Sequence, residues 1–256
     1  MRLNQVALQL YTLRDYTKTA SDFAVTVRKA RAIGYESVQI SGVGPISDVE
    51  LAAICRGEGV RICATHESGK VIVEEPQKVI DRLGCLGATY TAYPHPHVSL
   101  TTVEEVLALA SALDKAGKIM RKAGVVLTYH NHALELRKFD RTTMLDLFFD
   151  NTNKQNVLAS IDTYWIQAGG GDPVEWCRKL KRRLPLIHMK DFGVSRDNRT
   201  ATMMEIGNGN LNWPAIIQAA EKSGCEWFIV EQDICPGDPF DSIKISYDYI
   251  KANLIG

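Results

Sequence analysis

Four ionisable side chains, His130, Asp162, His188 and Glu231, each stand as the first titratable group after a short β-rich run in this 256-residue chain. Two imidazoles and two carboxylates brought to one point form a donor set for a divalent cation. Mn²⁺, Zn²⁺, Co²⁺ and Fe²⁺ accept that mixture, whereas a site built for Mg²⁺ alone normally avoids imidazole. All six histidines (66, 95, 97, 130, 132 and 188) fall at the ends of predicted strands. A lone strand-end histidine is more often a hydrogen-bonded rim residue, and a lone strand-end aspartate more often caps the next helix. Four such groups on successive strands are hard to explain as caps, so we read them as a metal site.

The elements that must carry these groups alternate along the chain. Apolar runs predict strands at 6–11, 37–40, 61–65, 89–93, 125–129, 157–161, 185–188 and 227–230. Amphipathic stretches predict helices at 21–33, 49–56, 76–86, 102–123, 142–149, 172–181, 214–222 and 241–252. Ser21 and Gly34 bound the first helix, Thr102 with Glu105 makes a capping box, Gly124 stops that long helix, and Pro173 sits in a first turn. Strands apolar on both faces suit a buried parallel sheet, and strict alternation implies right-handed crossovers. Eight units in one domain spanning 1–256 match a (β/α)8 TIM barrel, parallel and eight-stranded. A doubly wound sheet is the rival, but it usually opens on a glycine-rich turn. Here the first strand runs into Tyr11-Thr12-Leu13-Arg14.

Composition narrows the partners. Thirty basic residues balance thirty acidic ones, so bulk charge favours neither nucleic acid nor an anionic membrane. The 45% hydrophobic content suits a globular core, and no apolar stretch of about 18 residues predicts a membrane span. The N-terminus lacks a secretory pattern. The six cysteines (55, 63, 85, 177, 225 and 235) form no C-x-x-C pair and read as small buried residues in a reducing compartment, which implies a cytoplasmic location. The expected partner is a small molecule.

The motifs carry a resemblance. Thr128-Tyr129-His130-Asn131-His132 with Glu135, Ser160-Ile161-Asp162-Thr163 before Gly171-Asp172-Pro173, Leu186-Ile187-His188-Met189-Lys190-Asp191, Glu205-Ile206-Gly207-Asn208-Gly209 before Trp213, and Val230-Glu231 together make the chain similar to the sugar phosphate isomerase/epimerase family of xylose isomerase-like TIM barrels. Ketose 3-epimerases, inosose dehydratases and hydroxypyruvate isomerases are relatives. The resemblance implies a metal held by a carboxylate after strand five, Asp162, His188 and Glu231. Manganese is foremost, with Zn²⁺, Co²⁺, Fe²⁺ or Mg²⁺ as alternatives. It also implies homo-oligomers, since members are often dimers or tetramers. The fifth-strand position departs from the pattern, because His130 replaces the usual Glu, which in the epimerases is one of two acid/base carboxylates. The histidine-rich end of strand five looks more like the inosose dehydratase branch.

The resemblance implies proton abstraction beside a carbonyl, with the metal stabilising an enediolate. We expect a metal-dependent isomerase or epimerase acting on a keto-sugar or cyclitol, with a lyase (β-elimination on the same substrates) as the alternative. Glu231 is expected to be ligand and base. Elimination needs an acid at the leaving group, for which His132, His66 and Lys190 are candidates. His66 and Gln9 are expected to contact substrate, Glu205 to bind a sugar hydroxyl or cap a turn, and Tyr11, Tyr93 and Trp165 to stack on the sugar. His95 and His97 receive no role. The loop after strand seven carries Arg196, Arg199 and the Gly-Asn-Gly turn, yet no run of glycines opens a helix, so an unphosphorylated substrate is expected. Two other classes compete: an endonuclease IV-like nuclease, which needs more zinc ligands and basic loops, and a non-catalytic barrel, which predicts no bound metal.

Overall fold

A computed structural model describes residues 1–195 and 200–256, so Arg196 and Arg199 lie outside the described residues. Eight parallel strands close into a barrel in sequential order: β1 (Val6–Gln9), β2 (Ser37–Ile40), β3 (Arg61–His66), β4 (Tyr90–Tyr93), β5 (Val126–His130), β6 (Val157–Asp162), β7 (Leu186–Met189) and β8 (Trp227–Val230). β1 closes the ring by pairing with both β2 and β8. Helices pack outside, and the main core fills the layer between them and the strands. Ala7, Ala64, Leu186 and Ile229 belong to a smaller core cluster with Tyr90 and Trp227 packed against it.

The helix between β4 and β5, Val103–Lys122, is governed by local chemistry. Thr102 Oγ1 accepts from Glu105 N at 3.2 Å, and the Glu105 carboxylate accepts from Thr102 N at 3.1 Å, so the expected capping box is formed. Val106, Leu109, Ala110, Leu113, Ala116 and Met120 bury one face. At Pro173–Lys179 the proline occupies the first turn, and Asp172 accepts from Val174 N at 2.7 Å.

The departures from expectation gather at the C-terminal ends of the strands. β1 stops at Gln9 rather than Tyr11, because the Gln9 side chain accepts from Tyr11 N at 3.4 Å and starts a 3₁₀ segment, Leu10–Tyr16. Short helices at Gly69–Glu74 and Thr163–Ala168 follow β3 and β6, and a small ribbon pairs Lys138–Phe139 with Thr142–Thr143 after β5. After β7 a hairpin pairs Asp191–Val194 with Ala201–Met204. Loops at this end carry function in barrels, and these additions follow the C-terminal ends of their strands. All six cysteines are free thiols; Cys55, Cys63, Cys177 and Cys225 are buried, Cys85 is exposed and Cys235 half-buried. No described helix is long and apolar enough to cross a membrane.

Asp191 explains the Gly-Asn-Gly turn. Its fully buried carboxylate accepts from Gly207 N (2.8 Å), Gly209 N (3.2 Å), Leu211 N (3.3 Å) and Trp213 Nε1 (2.7 Å). A Cβ on Gly209 would sit 2.4 Å from Asp191 Oδ1, and Gly207 has φ +93°, so both positions require glycine. The backbone N–H groups of this turn are already taken up by the Asp191 side chain and are not free to cradle a phosphate. Asp191→Ala leaves these donors buried without an acceptor, at an expected loss of about 3–5 kcal/mol. Thermal unfolding should show a melting temperature lower by roughly 10 °C; an unchanged melt would mean that the turn holds itself.

Candidate metal centre and active site

The pleat decides which side chains meet. Asp162 pairs directly with His188, His188 with Ile229, and His130 with Ser160. Side chains alternate faces along a strand, so His130, Asp162, His188 and, two residues past Ile229, Glu231 share the inner face. One donor atom from each of these four lies within 4.8 Å of the others, and all four side chains are buried. Asp162 also caps the helix after β6, its Oδ1 accepting from Trp165 N at 3.0 Å. The capping role and the site role thus use different oxygens. Asn131 fixes the backbone here by accepting from Asp162 N at 3.0 Å.

Lys190 sits among the carboxylates. Its Nζ lies 2.9 Å from Asp162 Oδ2, 3.0 Å from Glu231 Oε2 and 3.1 Å from Asp233 Oδ2, with the side chain only 1% exposed. It is a buried counter-ion, not a solvated surface lysine. Burial would lower its pKa, but Asp162, Glu231 and Asp233 outweigh this and hold it above the usual lysine value. Burial also pushes Asp162 up, against the pull of Lys190. Burial and the Glu231 charge push Asp233 up to about 6. Glu231 goes the other way: burial is outweighed by Lys190 and His188, and it stays well below the usual carboxylate range.

The imidazoles form a second group. His66, His130 and His188 have ring centroids 4.4–5.3 Å apart, and His132 continues the series 5.1 Å from His130. Burial is the main reason that His66 falls to about 3, His132 to about 4 and His130 well below the usual range. Neutral imidazoles keep a lone pair free for a cation. His188 Nδ1 contacts Glu231 Oε2 at 2.7 Å, while His188 Nε2 and His130 Nδ1 are buried without a hydrogen-bond partner.

A cavity of about 430 Å³ opens onto this group, lined by Tyr11, His66, His130, His132, Lys190 and Glu231 among others. A cavity of about 490 Å³ lies elsewhere, lined by Cys55, Arg61, Tyr90 and Trp227, but no metal-type donor cluster of the described residues lies in it. His132 packs against Trp165, whose ring centroid is 5.4 Å away and 5.8 Å from Lys190 Nζ. Gln9 lies behind His66: its Nε2 donates to Gln39 at 2.9 Å and is 3.5 Å from both ring nitrogens. Tyr93 is buried and its hydroxyl meets His97 Nδ1 at 2.8 Å. Glu205 is turned into the wall, where its carboxylate accepts from Ser242 Oγ (2.8 Å) and Asn208 Nδ2 (3.3 Å), and it is not among the lining residues. A substrate-binding role for Glu205 therefore gives way to a structural one.

Three ionisable lining residues have no role in the sequence reading. Asp233 follows Glu231 by two, as Lys190 follows His188, and the same alternation would have found it. Glu67 is held by Arg82 Nη1, 2.7 Å from each carboxylate oxygen, and Arg82 Nε reaches Asp48 at 2.8 Å. Those partners lie on distant helices, which no local pattern reveals. His95 packs against His132 with ring centroids 5.1 Å apart.

The donor set fits a divalent cation. Asp162, Glu231 and Asp233 carry three negative charges when ionised and Lys190 returns one, an excess of two. Among the described residues, three buried imidazole nitrogens (His130 Nδ1, His132 Nδ1 and His188 Nε2) and Asp162 Oδ2 have no hydrogen-bond partner.

A family model described as "Xylose isomerase-like TIM barrel" matches residues 27–252. The chain belongs to that family. It is 23% identical over 286 aligned residues to an inosose dehydratase of Mesomycoplasma hyopneumoniae (strain J), covering 96% of this chain and 94% of that protein. In fold it is similar to a sugar phosphate isomerase/epimerase from Parabacteroides distasonis, with a TM-score of 0.83, 22% identity and coverage of 98% and 95% of the two chains. An L-ribulose 3-epimerase structure aligns with a TM-score of 0.74, 16% identity and coverage of 99% and 95%.

Lys190→Met would leave the buried carboxylates without their counter-ion. We expect a loss of about 3–5 kcal/mol in the presence of a chelator. Added divalent cation should recover more stability in the variant than in the wild type, as read by thermal unfolding. A variant as stable as wild type in chelator would contradict this charge balance.

Proposed function

We propose that the protein removes the proton beside the carbonyl of an unphosphorylated keto-sugar or cyclitol, as a divalent-metal-dependent enzyme. The observation that carries this reading is the convergence of His130, Asp162, His188 and Glu231 within 4.8 Å, next to a cavity of sugar size. These four would hold the ion, which when bound supplies a Lewis acid for a carbonyl oxygen. The filled donor set argues against a non-catalytic barrel, and zero net charge argues against a nuclease. Free thiols suit a cytoplasmic enzyme. The occupation of the Gly-Asn-Gly turn by Asp191 supports an unphosphorylated substrate.

Glu231 is the proposed base: it takes the C–H proton, and the electron pair passes into an enediolate. His132, which lines the cavity, is the proposed acid toward the leaving group, with Lys190 fixed beside them. Tyr11, which lines the cavity, offers a flat surface to an apolar sugar face, and Trp165 packs behind His132. His66 reaches the substrate side of the cavity, and Gln9 acts on it from behind.

Elimination is the outcome the site supports best. Epimerisation by two carboxylates needs one on each side of the substrate, yet Asp162, Glu231 and Asp233 are gathered on one ammonium and strand five supplies His130. The departing hydroxyl takes a proton and leaves as water, and an enone remains. The dehydratase relative points the same way. Isomerisation or epimerisation is the second reading, because it shares the enediolate and differs only in where the proton returns.

Incubation with inososes and keto-sugars in deuterated water, followed by NMR, tests the common step. Exchange at the α-carbon is expected, with new ultraviolet absorbance if the product is an enone. Glu231→Gln should lower the exchange rate by about 10²–10⁴-fold. A metal-loaded protein that exchanges no α-proton with any substrate of these classes would refute the proposal.

A further inference from the structure

We propose that the cavity at the N-terminal ends of the strands is a second binding site, and that it takes a small planar organic carboxylate. Arg61, Tyr90 and Trp227 line it and are the first residues of β3, β4 and β8. Those strands end at His66, Tyr93 and Val230, so the cavity lies at the opposite end of the barrel from the metal centre. Its volume of about 490 Å³ exceeds the 430 Å³ of the catalytic cavity.

The charge of its wall is one-sided. Arg56 and Arg61 both line the cavity, and none of the lining residues is an aspartate or a glutamate. Among the described residues neither guanidinium is in an ion pair. Arg61 Nη2 donates to the Asn4 carbonyl at 3.1 Å, and its guanidinium stands 5.3 Å from the centre of the Trp227 ring. Glu226, beside Trp227 in the chain, accepts from Tyr90 Oη at 2.7 Å. A guanidinium without a carboxylate of its own presents a fork that matches a ligand carboxylate through two parallel N–H bonds.

The rings set the body of the ligand. Tyr90 and Trp227 pack against the small core cluster and each stays half-buried. Aromatic faces left partly open beside a guanidinium favour a flat ligand, which can stack on them while its carboxylate meets the cation. Gly84 supplies the room. It lies inside the helix Pro76–Leu86, where glycine weakens the helix relative to alanine. Gly87, at φ +68°, is the residue that stops this helix. Gly84 has no positive φ, and a Cβ built on it meets no neighbouring group within 4 Å. No turn or close approach requires glycine there, and the space it leaves belongs to the cavity it lines.

The test titrates the full chain with 1-naphthoate by calorimetry, with 1-naphthamide and inorganic phosphate as comparators. 1-Naphthoate should bind one to one, and the uncharged amide and the ring-free phosphate should each bind at least about tenfold more weakly. Arg56→Gln and Arg61→Gln should each weaken 1-naphthoate binding by about five- to tenfold. Gly84→Leu, which favours the helix while filling the opening, should weaken it by at least about tenfold with no fall in melting temperature. Tyr11→Ala, at the catalytic mouth, should leave the affinity within about twofold of wild type. Far-ultraviolet circular dichroism confirms that each variant is folded, and Arg56→Gln and Gly84→Leu keep the test open if loss of the Arg61–Asn4 bond loosens the N-terminus. Binding that Tyr11→Ala weakens and the other three variants do not would place the anion in the catalytic mouth and overturn the inference. So would an amide or phosphate that binds as tightly as 1-naphthoate, or a wild-type chain that binds no 1-naphthoate at up to about 1 mM. Each of these failures leaves the proposed reaction standing, because that reaction is read at the other end of the barrel.

Discussion

The ammonium of Lys190 is the charge on which the site depends. Three carboxylates within about 3 Å of one another's counter-ion, in a nearly solvent-free pocket, repel each other strongly in a low effective dielectric. One buried cation makes that arrangement tolerable, and its own burial is possible only because the carboxylates surround it. The backbone that presents it is clamped as well. Thr163 Oγ1 donates to the Lys190 carbonyl at 2.8 Å and accepts from Lys190 N at 3.0 Å, tying the end of β7 to the residue after Asp162.

Four consecutive residues then divide their work by the period of the strand. His188 and Lys190 face the barrel mouth. Met189 is buried away from it, and Asp191 turns into the wall to hold the Gly-Asn-Gly turn and Trp213. A shift of one residue in this register would exchange the two sets, burying the ammonium against the helices and leaving the carboxylates unpaired. The site and the wall are thus specified by the same pairing of β7 with β6 and β8.

The sequence reveals the parts of the fold that are periodic. β2 and β8 and the helix Pro76–Leu86 have the expected bounds, since apolar runs, a starting proline and a closing glycine all lie within a few residues of them. The short helices Gly69–Glu74 and Thr163–Ala168 and the two ribbons are too brief to carry a period, and their contacts come from distant elements. The candidate site divides in the same way. His130, Asp162, His188 and Glu231 are legible because each breaks an apolar run. Glu67 and Asp191 are not, because what fixes them is an arginine 15 residues away and backbone donors 16 to 20 residues away. Glu205 shows the converse: a glutamate beside a conspicuous turn looked available and is consumed by Ser242 and Asn208.

Membership of a barrel family fixes where donors emerge but not what charge they carry. The pattern that the sequence resembles places a carboxylate at the end of strand five; here an imidazole stands there, and Lys190, part of the motif that carries the resemblance, sits among the carboxylates on the other side. The change removes one negative charge from one wall. Asp162, Glu231 and Asp233 are gathered around Lys190 on one flank, and His66, His130 and His132 stand on the other. A reaction that moves a proton from carbon to one side and delivers a proton to an oxygen leaving from the other matches that asymmetry. A reaction that returns the proton to the opposite face of the same carbon calls for two equivalent flanks, which His130 and Glu231 do not supply.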